Sequence, residues 1–305
     1  MHIAILGAGA MGSLFGGYLS QRNEVWLIDV NERRVRSIAE RGVCIREPSG
    51  SERLFHPHAA AASAGLPQMD LVIVFVKAMH TLSALNANQS LIGGDTRLMT
   101  LQNGRGHEEK LLRFADADHV IIGTTQHNSS ILDEGHIHHG GSGQTTIGLI
   151  GGDSGRIADI AEAFCACGLQ CAISDHVKAQ IWKKLFLNTS ASALTAVLQM
   201  PLGFCLEDPH ARALLKTLIG EAVAVANAED AAVFDAEQVT RDVETALANA
   251  RNGYTSIYAD IRDGRRTEVD TLSGSVVDSG RAYGVPVPCH ETIVALIRAV
   301  ENRRS

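Results

Sequence analysis

The chain has 305 residues, 45% hydrophobic and 20% charged, the makeup of a globular protein long enough for two domains with filled cores. Its net charge of -7 argues against a nucleic acid or an anionic membrane as partner, while leaving room for a local basic pocket that takes an anionic substrate. No apolar run approaches the length of a bilayer span, and the segment after Met1 lacks the basic start and cleavage site of a secretory signal, so a cytoplasmic location is expected.

Residues 2–6 form the first expected strand. The hexad Gly7-Ala8-Gly9-Ala10-Met11-Gly12 follows directly and leads into a helical stretch to Ser20. In this context the hexad is a dinucleotide site: Gly7 allows a tight turn, Gly9 lets the backbone approach a pyrophosphate, and Gly12 lets helix and strand pack closely. The helix start then offers N–H groups and partial positive charge to the phosphates. A second strand, 24–28, ends at Asp29, where an acid for the ribose hydroxyls is expected.

Further apolar runs at 71–76, 97–102, 119–123 and 145–150 alternate with helical or loop stretches, the mark of a largely parallel sheet wound with helices. The run 71–76 has no polar alternation, as befits a central strand covered on both faces. Lys77 follows it, and Asn103 follows 97–102, both beyond strand ends where ligands of such sheets bind. Asn103-Gly104 equally fits an ordinary turn. The glycine-rich segment from about 135 to 150 reads as antiparallel strands appended to the sheet edge. Within it, His136-Ile137-His138-His139 suggests exposed imidazoles on a strand edge. No cysteine or carboxylate is spaced to complete a metal site there, and no metal is expected. Of the six cysteines, Cys165, Cys167 and Cys171 cluster without zinc-site spacing, and they read as small buried residues in a reducing compartment.

Beyond Ser174 no strand is expected. Helical patterns run over about 175–198, 210–228, 235–262, 266–283 and 290–303. Asp175 and Asp208 are start residues, Pro209 stands in a first turn, and 284–288 breaks the chain before the last helix. On the first of these helices Lys184, Asn188 and Ser192 recur at i, i+4 and i+8 and share one face, a stripe that continues back through Ile181 and Val177. A partly buried lysine there suits a chemical role; a solvated Lys183-Lys184 pair suits the spacing as well. Later, Asp263-Gly264 and Arg265-Arg266 read as a helix break. Glu268 heads the next helix, where a carboxylate also suits the dipole. The fold class is α/β: a Rossmann-type doubly wound sheet in residues 1–172, then an all-helical domain in 173–305.

Together, the hexad, Val76-Lys77-Ala78, Leu101-Gln102-Asn103-Gly104, Trp182-Lys183-Lys184-Leu185 with Asn188, Leu194-Thr195-Ala196, and Asp260-Ile261-Arg262 with Thr267-Glu268-Val269-Asp270 resemble the ketopantoate reductase (2-dehydropantoate 2-reductase) family. The resemblance covers nearly the whole chain. It implies an NAD(P)H-dependent oxidoreductase that reduces a 2-oxo acid to a 2-hydroxy acid, with ketopantoate, the precursor of pantoate in pantothenate biosynthesis, as first substrate. It implies Lys184 as general acid, with Glu268 holding Lys184 and the substrate. Asn103 would bridge cofactor and substrate, Ser256 would bind the substrate carboxylate, and Asn188 a substrate polar group. Lys77 would lie by the cofactor, with Gly7, Ala8, Gly9, Ala10, Met11, Gly12 and Asp29. A homodimer through the helical half is implied too.

Three departures matter. Ser192 replaces a second asparagine common in the family, and Leu202-Gly203 replaces an Asn-Gly pair, both at substrate positions. These changes weaken recognition of a hydroxylated acid and favour an apolar side chain, keeping open an NAD-dependent D-2-hydroxyacid dehydrogenase with a branched or aromatic substrate. Asp29 stands where many members carry an arginine for the 2′-phosphate. A carboxylate accepts from free ribose hydroxyls and repels a phosphate, so NADH is expected over NADPH, with Arg33 and Arg34 near enough in sequence to soften the preference. A dinucleotide-binding regulator without turnover is the remaining alternative, and the joint presence of Lys184 and Glu268 speaks against it.

Overall fold

Ile3-Ala4-Ile5-Leu6 is buried throughout and forms most of β1 (His2–Leu6), an inner strand of an eight-stranded sheet. The computed structural model describes residues 1–229 and 231–303. The chain divides into two units, Met1–Gln102 with His107–Val177, and Asn103–Gly106 with Lys178–Ser305.

The strands of the first unit are β1, β2 (Glu24–Ile28), β3 (Val43–Arg46), β4 (Glu52–Phe55), β5 (His58–Ala60), β6 (Leu71–Val74), β7 (Arg97–Thr100), β8 (Val120–Thr125), β9 (Asn128–Asp133), β10 (His136–Gly141), β11 (Thr145–Leu149) and β12 (Cys171–Ile173). Its helices are α1 (Ala10–Leu19), α2 (Glu32–Arg41), α3 (Thr81–Ala87), α4 (Glu108–Leu111) and α5 (Ala158–Ala166). The main sheet has the order β12-β11-β8-β7-β6-β1-β2-β5, and β5, β2, β1, β6, β7 and β8 run parallel. Strand order reverses at β1, with β2 on one side and β6 on the other. That is the switch point of a Rossmann sheet, and it lies where the glycine hexad leaves β1.

The segment 135–150 departs from expectation. Only β11 joins the main sheet, antiparallel to β8. The strand β10 belongs to a second sheet of order β4-β3-β10-β9, where it is an inner strand with His139 buried, rather than an edge with exposed imidazoles. That sheet packs on α1. Gly17 makes the fit possible, because a Cβ there would already stand 3.0 Å from Ile45 and 3.3 Å from Phe55. Tyr18 stacks on Phe55 with ring centroids 5.4 Å apart. The cysteines are also less buried than expected: Cys167 and Cys205 are buried, but Cys165 is exposed and Cys44, Cys171 and Cys289 are half-buried.

The second unit holds only helices among its described residues: α6 (Val177–Leu187), α7 (Ala193–Leu198), α8 (Phe204–Glu207), α9 (Pro209–Ala228), α10 (Ala236–Asn249), α11 (Ser256–Arg262), α12 (Ser273–Tyr283) and α13 (Pro288–Asn302). Its core gathers Trp182, Phe186, Leu215, Leu218 and Ile219, all fully buried. Asp208 caps α9, its Oδ1 accepting the N–H groups of His210 at 3.0 Å and Ala211 at 2.8 Å, an arrangement that contributes about 1 kcal/mol. By contrast, α6 starts two residues after Asp175.

Two expected helices are shorter than their patterns. The stretch 235–262 splits into α10 and α11 because the chain turns at Gly253, whose N–H donates to Ala250 O at 2.8 Å. The stretch 266–283 is helical only from Ser273. Glu268 therefore does not head a helix. It stands in an irregular segment where its carbonyl accepts the N–H groups of Thr271 at 3.1 Å and Leu272 at 3.2 Å, and the dipole no longer accounts for its carboxylate.

Candidate active site

At the C-terminal end of β1 the backbone of Gly7 takes φ +100°, a region that a side chain strongly disfavours, and its N–H donates to Ile28 O at 2.7 Å. A Cβ at Gly7 would press on Phe75 and Val76, 2.8 Å from the Val76 nitrogen, and one at Gly12 would collide with the Gly7 carbonyl oxygen. Gly9 is different: nothing stands within 4 Å of where its Cβ would be. It caps α1 without a side-chain hydrogen bond, and no acid occupies the first turn of that helix. Gly9, Ala10 and Met11 are half-buried, whereas Ala8 and the helix from Gly12 to Leu19 are buried. Open space at Gly9 over the N-terminus of a ten-residue helix, with no acid in that helix's own first turn, fits a pyrophosphate. Lys77 is exposed and starts a 3-10 turn, Ala78–His80, directly after the Phe75-Val76 backbone that borders Gly7. Gln102 fixes this corner, its Nε2 donating to Val76 O at 2.5 Å and Thr81 Oγ1 at 3.0 Å.

Asp29 is already engaged. Its Oδ2 accepts the Ala8 N–H at 2.8 Å and its Oδ1 the Asn31 N–H at 2.8 Å, so the carboxylate ties the end of β2 to the glycine loop. Arg34 Nη1 reaches Oδ2 at 3.2 Å, while Arg34 Nε donates to Glu134 Oε2 at 2.8 Å. Glu134 was not legible as a neighbour of Asp29, because it arrives from the turn between β9 and β10.

In the second unit, Lys184 lies on α6 and Asn188 and Ser192 on the segment that continues it. Residues Asn188–Ser192 wind as a π-helix before α7 resumes. An α-helix overshoots a full turn by about 40° every four residues, which would set Ser192 about 80° round from Lys184. A π turn of roughly 4.4 residues falls short instead, and returns Ser192 nearly into line with Lys184. The shared face expected from spacing thus depends on this local widening, of a kind that clusters at functional sites. Lys184 is half-buried, and desolvation brings its ammonium pKa down from 10.5 to about 8. Ser192 is buried. Ser256 is the first residue of α11; its neighbour Thr255 caps that helix and meets Thr195 of α7, Oγ1 to Oγ1 at 3.3 Å.

Leu202 is buried in the helical core, its N–H donating to Gly253 O at 3.0 Å. Asn103-Gly104-Arg105-Gly106 is more than a turn. Gly104 has φ +94°, and a Cβ there would run into Thr271, 2.9 Å from its Cβ. Arg105 donates from its backbone to Thr271 O at 3.0 Å and is held by Glu229, Ser279 and the Trp182 ring. Thr271 lies three residues beyond Glu268, so Asn103 and Glu268 flank one fixed piece of backbone. Sequence reading gave neither Arg105 nor Glu229 a role.

The sequence profile of ketopantoate reductase PanE/ApbA matches residues 3–152, and that of the ketopantoate reductase PanE/ApbA C terminal matches 176–301. The chain belongs to this family. Among relatives, the 2-dehydropantoate 2-reductase of Halobacterium salinarum is 31% identical over 99% of both chains, and that of Pyrococcus horikoshii is 28% identical over 99% of this chain and 98% of its own. Two solved structures superpose closely on this ketopantoate reductase family member. One is D-mandelate dehydrogenase with NADH and anilino(oxo)acetate, 31% identical over 99% of both chains, with a TM-score of 0.93. The other is a PanE/ApbA family ketopantoate reductase from Ralstonia eutropha, 29% identical over 100% of this chain and 99% of its own, with a TM-score of 0.91. No helix among the described residues is long and apolar enough to cross a membrane.

Proposed function

We propose that this protein reduces a 2-oxo acid to the 2-hydroxy acid with a nicotinamide dinucleotide, and that 2-dehydropantoate is the first substrate to assign. The observation that carries the reading is the Lys184 ammonium, desolvated to a pKa of about 8 on the face it shares with Asn188 and Ser192. A general acid works best with a pKa near the operating pH. Gly9 and the start of α1 would hold the dinucleotide, which when bound would supply a hydride for the carbonyl carbon of the substrate. Lys184 gives its proton to the carbonyl oxygen as the C=O bond becomes C–OH, and its positive charge stabilises the developing alkoxide. In the same proposal Glu268 holds the lysine and substrate, Ser256 takes the substrate carboxylate, and Asn103 and Asn188 orient substrate and cofactor. Lys77 and Asp29 lie toward the cofactor. A homodimer through the helical unit belongs to it by resemblance, and a cytoplasmic location is part of the same proposal.

NADH is the cofactor we favour. Arg34 is shared by Asp29 and Glu134, two carboxylates on one guanidinium, so the local charge of the three is net negative and opposes a 2′-phosphate.

A second reading keeps the chemistry and changes the substrate. Ser192, short and buried where the family commonly has asparagine, leaves less to bind a hydroxylated chain, and the likeness to D-mandelate dehydrogenase points to a branched or aromatic 2-oxo acid. Assaying ketopantoate, ketoisovalerate and phenylpyruvate with both cofactors decides between the two. Highest kcat/KM on ketopantoate supports the first, highest kcat/KM on phenylpyruvate or ketoisovalerate the second, and a silent panel sinks both in favour of a regulator.

A further inference from the structure

On the second sheet, a cysteine, a carboxylate and an imidazole meet on the face turned away from α1. Val43 and Ile45 of β3 and Ile137 and His139 of β10 are buried, so the two-residue period of a strand turns Cys44 and His136 to the opposite face. Those two are register partners in the parallel pair β3–β10. Glu52 of β4 is two residues from Leu54, which faces Cys44 across the antiparallel pair β3–β4. The spacing of His136 in the sequence offered it no such partners; the sheet supplies both.

The geometry is that of a ligand set. One ligand atom from each residue lies within 4.8 Å of the others. Cys44 Sγ is 3.8 Å from Glu52 Oε2, and His136 Nε2 is 3.2 Å from Glu52 Oε1. Around a tetrahedral zinc, bond lengths of about 2.0–2.3 Å set neighbouring ligand atoms about 3.3–3.8 Å apart; the two distances to Glu52 run to different oxygens, so the side chains must draw in by about 1 Å to share one ion. A separate observation concerns His136 alone: its Nε2 is hidden from solvent and makes no hydrogen bond despite the nearby carboxylate. Arg46 holds Glu52 Oε1 from Nε at 3.1 Å and Nη2 at 3.0 Å, which leaves Oε2 turned to the thiol. Arg46 is the cation on this face, and its pair with Glu52 is about half exposed on both sides, so solvent screens most of its repulsion toward an ion.

We propose that Cys44, Glu52 and His136 bind one zinc-class divalent ion, with water as the fourth ligand. A thiolate and an imidazole in one set select zinc over magnesium or calcium, which prefer all-oxygen sites. On binding, the Cys44 S–H bond breaks, a sulfur–metal bond forms and the proton passes to solvent; nothing is oxidised or reduced. Cys44 and Glu52 come from the β3–β4 hairpin and His136 from a distant part of the chain, so the ion fastens β10 to that hairpin. The site acts as a staple for the small sheet, separate from the residues assigned to catalysis.

The test titrates the full-length, metal-free, reduced protein with Co²⁺ and then Zn²⁺. One equivalent of Co²⁺ is expected to give a thiolate charge-transfer band and intense visible bands of a tetrahedral centre, which Zn²⁺ abolishes while raising the thermal midpoint. Cys44→Ser should remove the charge-transfer band. His136→Gln and Glu52→Gln, both conservative, should each weaken binding by about tenfold or more. The paired variant Cys165→Ser with Cys171→Ser should leave the titration unchanged. The proposal is overturned if wild type shows no such band at one equivalent, if the band survives Cys44→Ser, or if it is lost with Cys165 and Cys171.

Discussion

Arg105 and Glu229 form an ion pair that is mostly buried, Nη1 to Oε1 at 2.5 Å, with their side chains 17% and 6% exposed. The same guanidinium lies 4.8 Å over the Trp182 ring, whose Nε1 donates to the other Glu229 oxygen at 3.1 Å. One carboxylate thus anchors both the loop that carries Asn103 and the helix that carries Lys184. Breaking one side of a buried pair leaves an uncompensated charge, at a cost of about 3–5 kcal/mol. Glu229→Ala is therefore expected to lose that much stability in urea unfolding and to lower kcat/KM, because Asn103 loses its support. A loss below about 1 kcal/mol would mean the pair is as weak as an exposed one.

As the proposed general acid, Lys184 should set the pH dependence of reduction. Its pKa of about 8 means that the ammonium is the dominant form below that pH and is lost above it. With the cation as proton donor, kcat/KM for the 2-oxo acid is expected to be level below about pH 8 and to fall about tenfold per unit above it, with the opposite trend for oxidation of the 2-hydroxy acid. Lys184→Ala should lower turnover by about 10²–10⁴ while leaving dinucleotide affinity nearly intact. Turnover within about tenfold of wild type would remove Lys184 from the role.

The parts of this architecture that were legible in the sequence are those in which one segment states its own case. β1 and the hexad, the unbroken apolar β6, and Asp208-Pro209 at the start of α9 each carry local signals. What was not legible depends on segments far apart in the chain. The strands β3, β4 and β5 are three or four residues long, and β4 is mostly exposed and charged, so no periodicity marks it. Glu268 was misplaced on a helix because the pattern 266–283 is apolar enough to be helical, whereas the backbone turns at 269–272. The π-helix at Asn188–Ser192 has no sequence signal at all, although it determines how Lys184 and Ser192 align.

Cofactor choice should respond to the carboxylates around Arg34. Asp29→Asn keeps the side-chain shape and an acceptor for the Ala8 N–H, and Glu134→Gln keeps an acceptor for Arg34. Together they remove two negative charges and leave the guanidinium uncompensated. The double variant is expected to raise the ratio of kcat/KM with NADPH to that with NADH by roughly tenfold or more, a modest share of what charges a few ångströms apart exert near a surface. An unchanged ratio would place the adenosine ribose away from Asp29.

His127 predicts an acid limit to stability. Its Nδ1 lies 3.0 Å from His139 Nε2, and His139 Nδ1 lies 2.9 Å from Glu47 Oε2, beneath α1. The Glu47 carboxylate can only accept, so His139 donates from Nδ1, accepts at Nε2 from His127 Nδ1–H, and leaves the His127 Nε2 lone pair buried and unbonded. Protonating His127 would place a charge in that buried spot beside His139. Desolvation first, and His139 second, push its pKa from 6.5 down to about 4. Between those values the unfolded chain takes up a proton that the folded chain refuses. The stability tied to neutral His127 is therefore fully present above about pH 6.5 and is lost as pH falls toward 4, by roughly 3 kcal/mol over that window. His127→Leu removes the titrating group, and the fall in its urea-unfolding free energy from pH 7 to 4.5 should be visibly shallower than in wild type. Parallel profiles for the two proteins would show that His127 takes up its proton as readily in the folded chain as in the unfolded one.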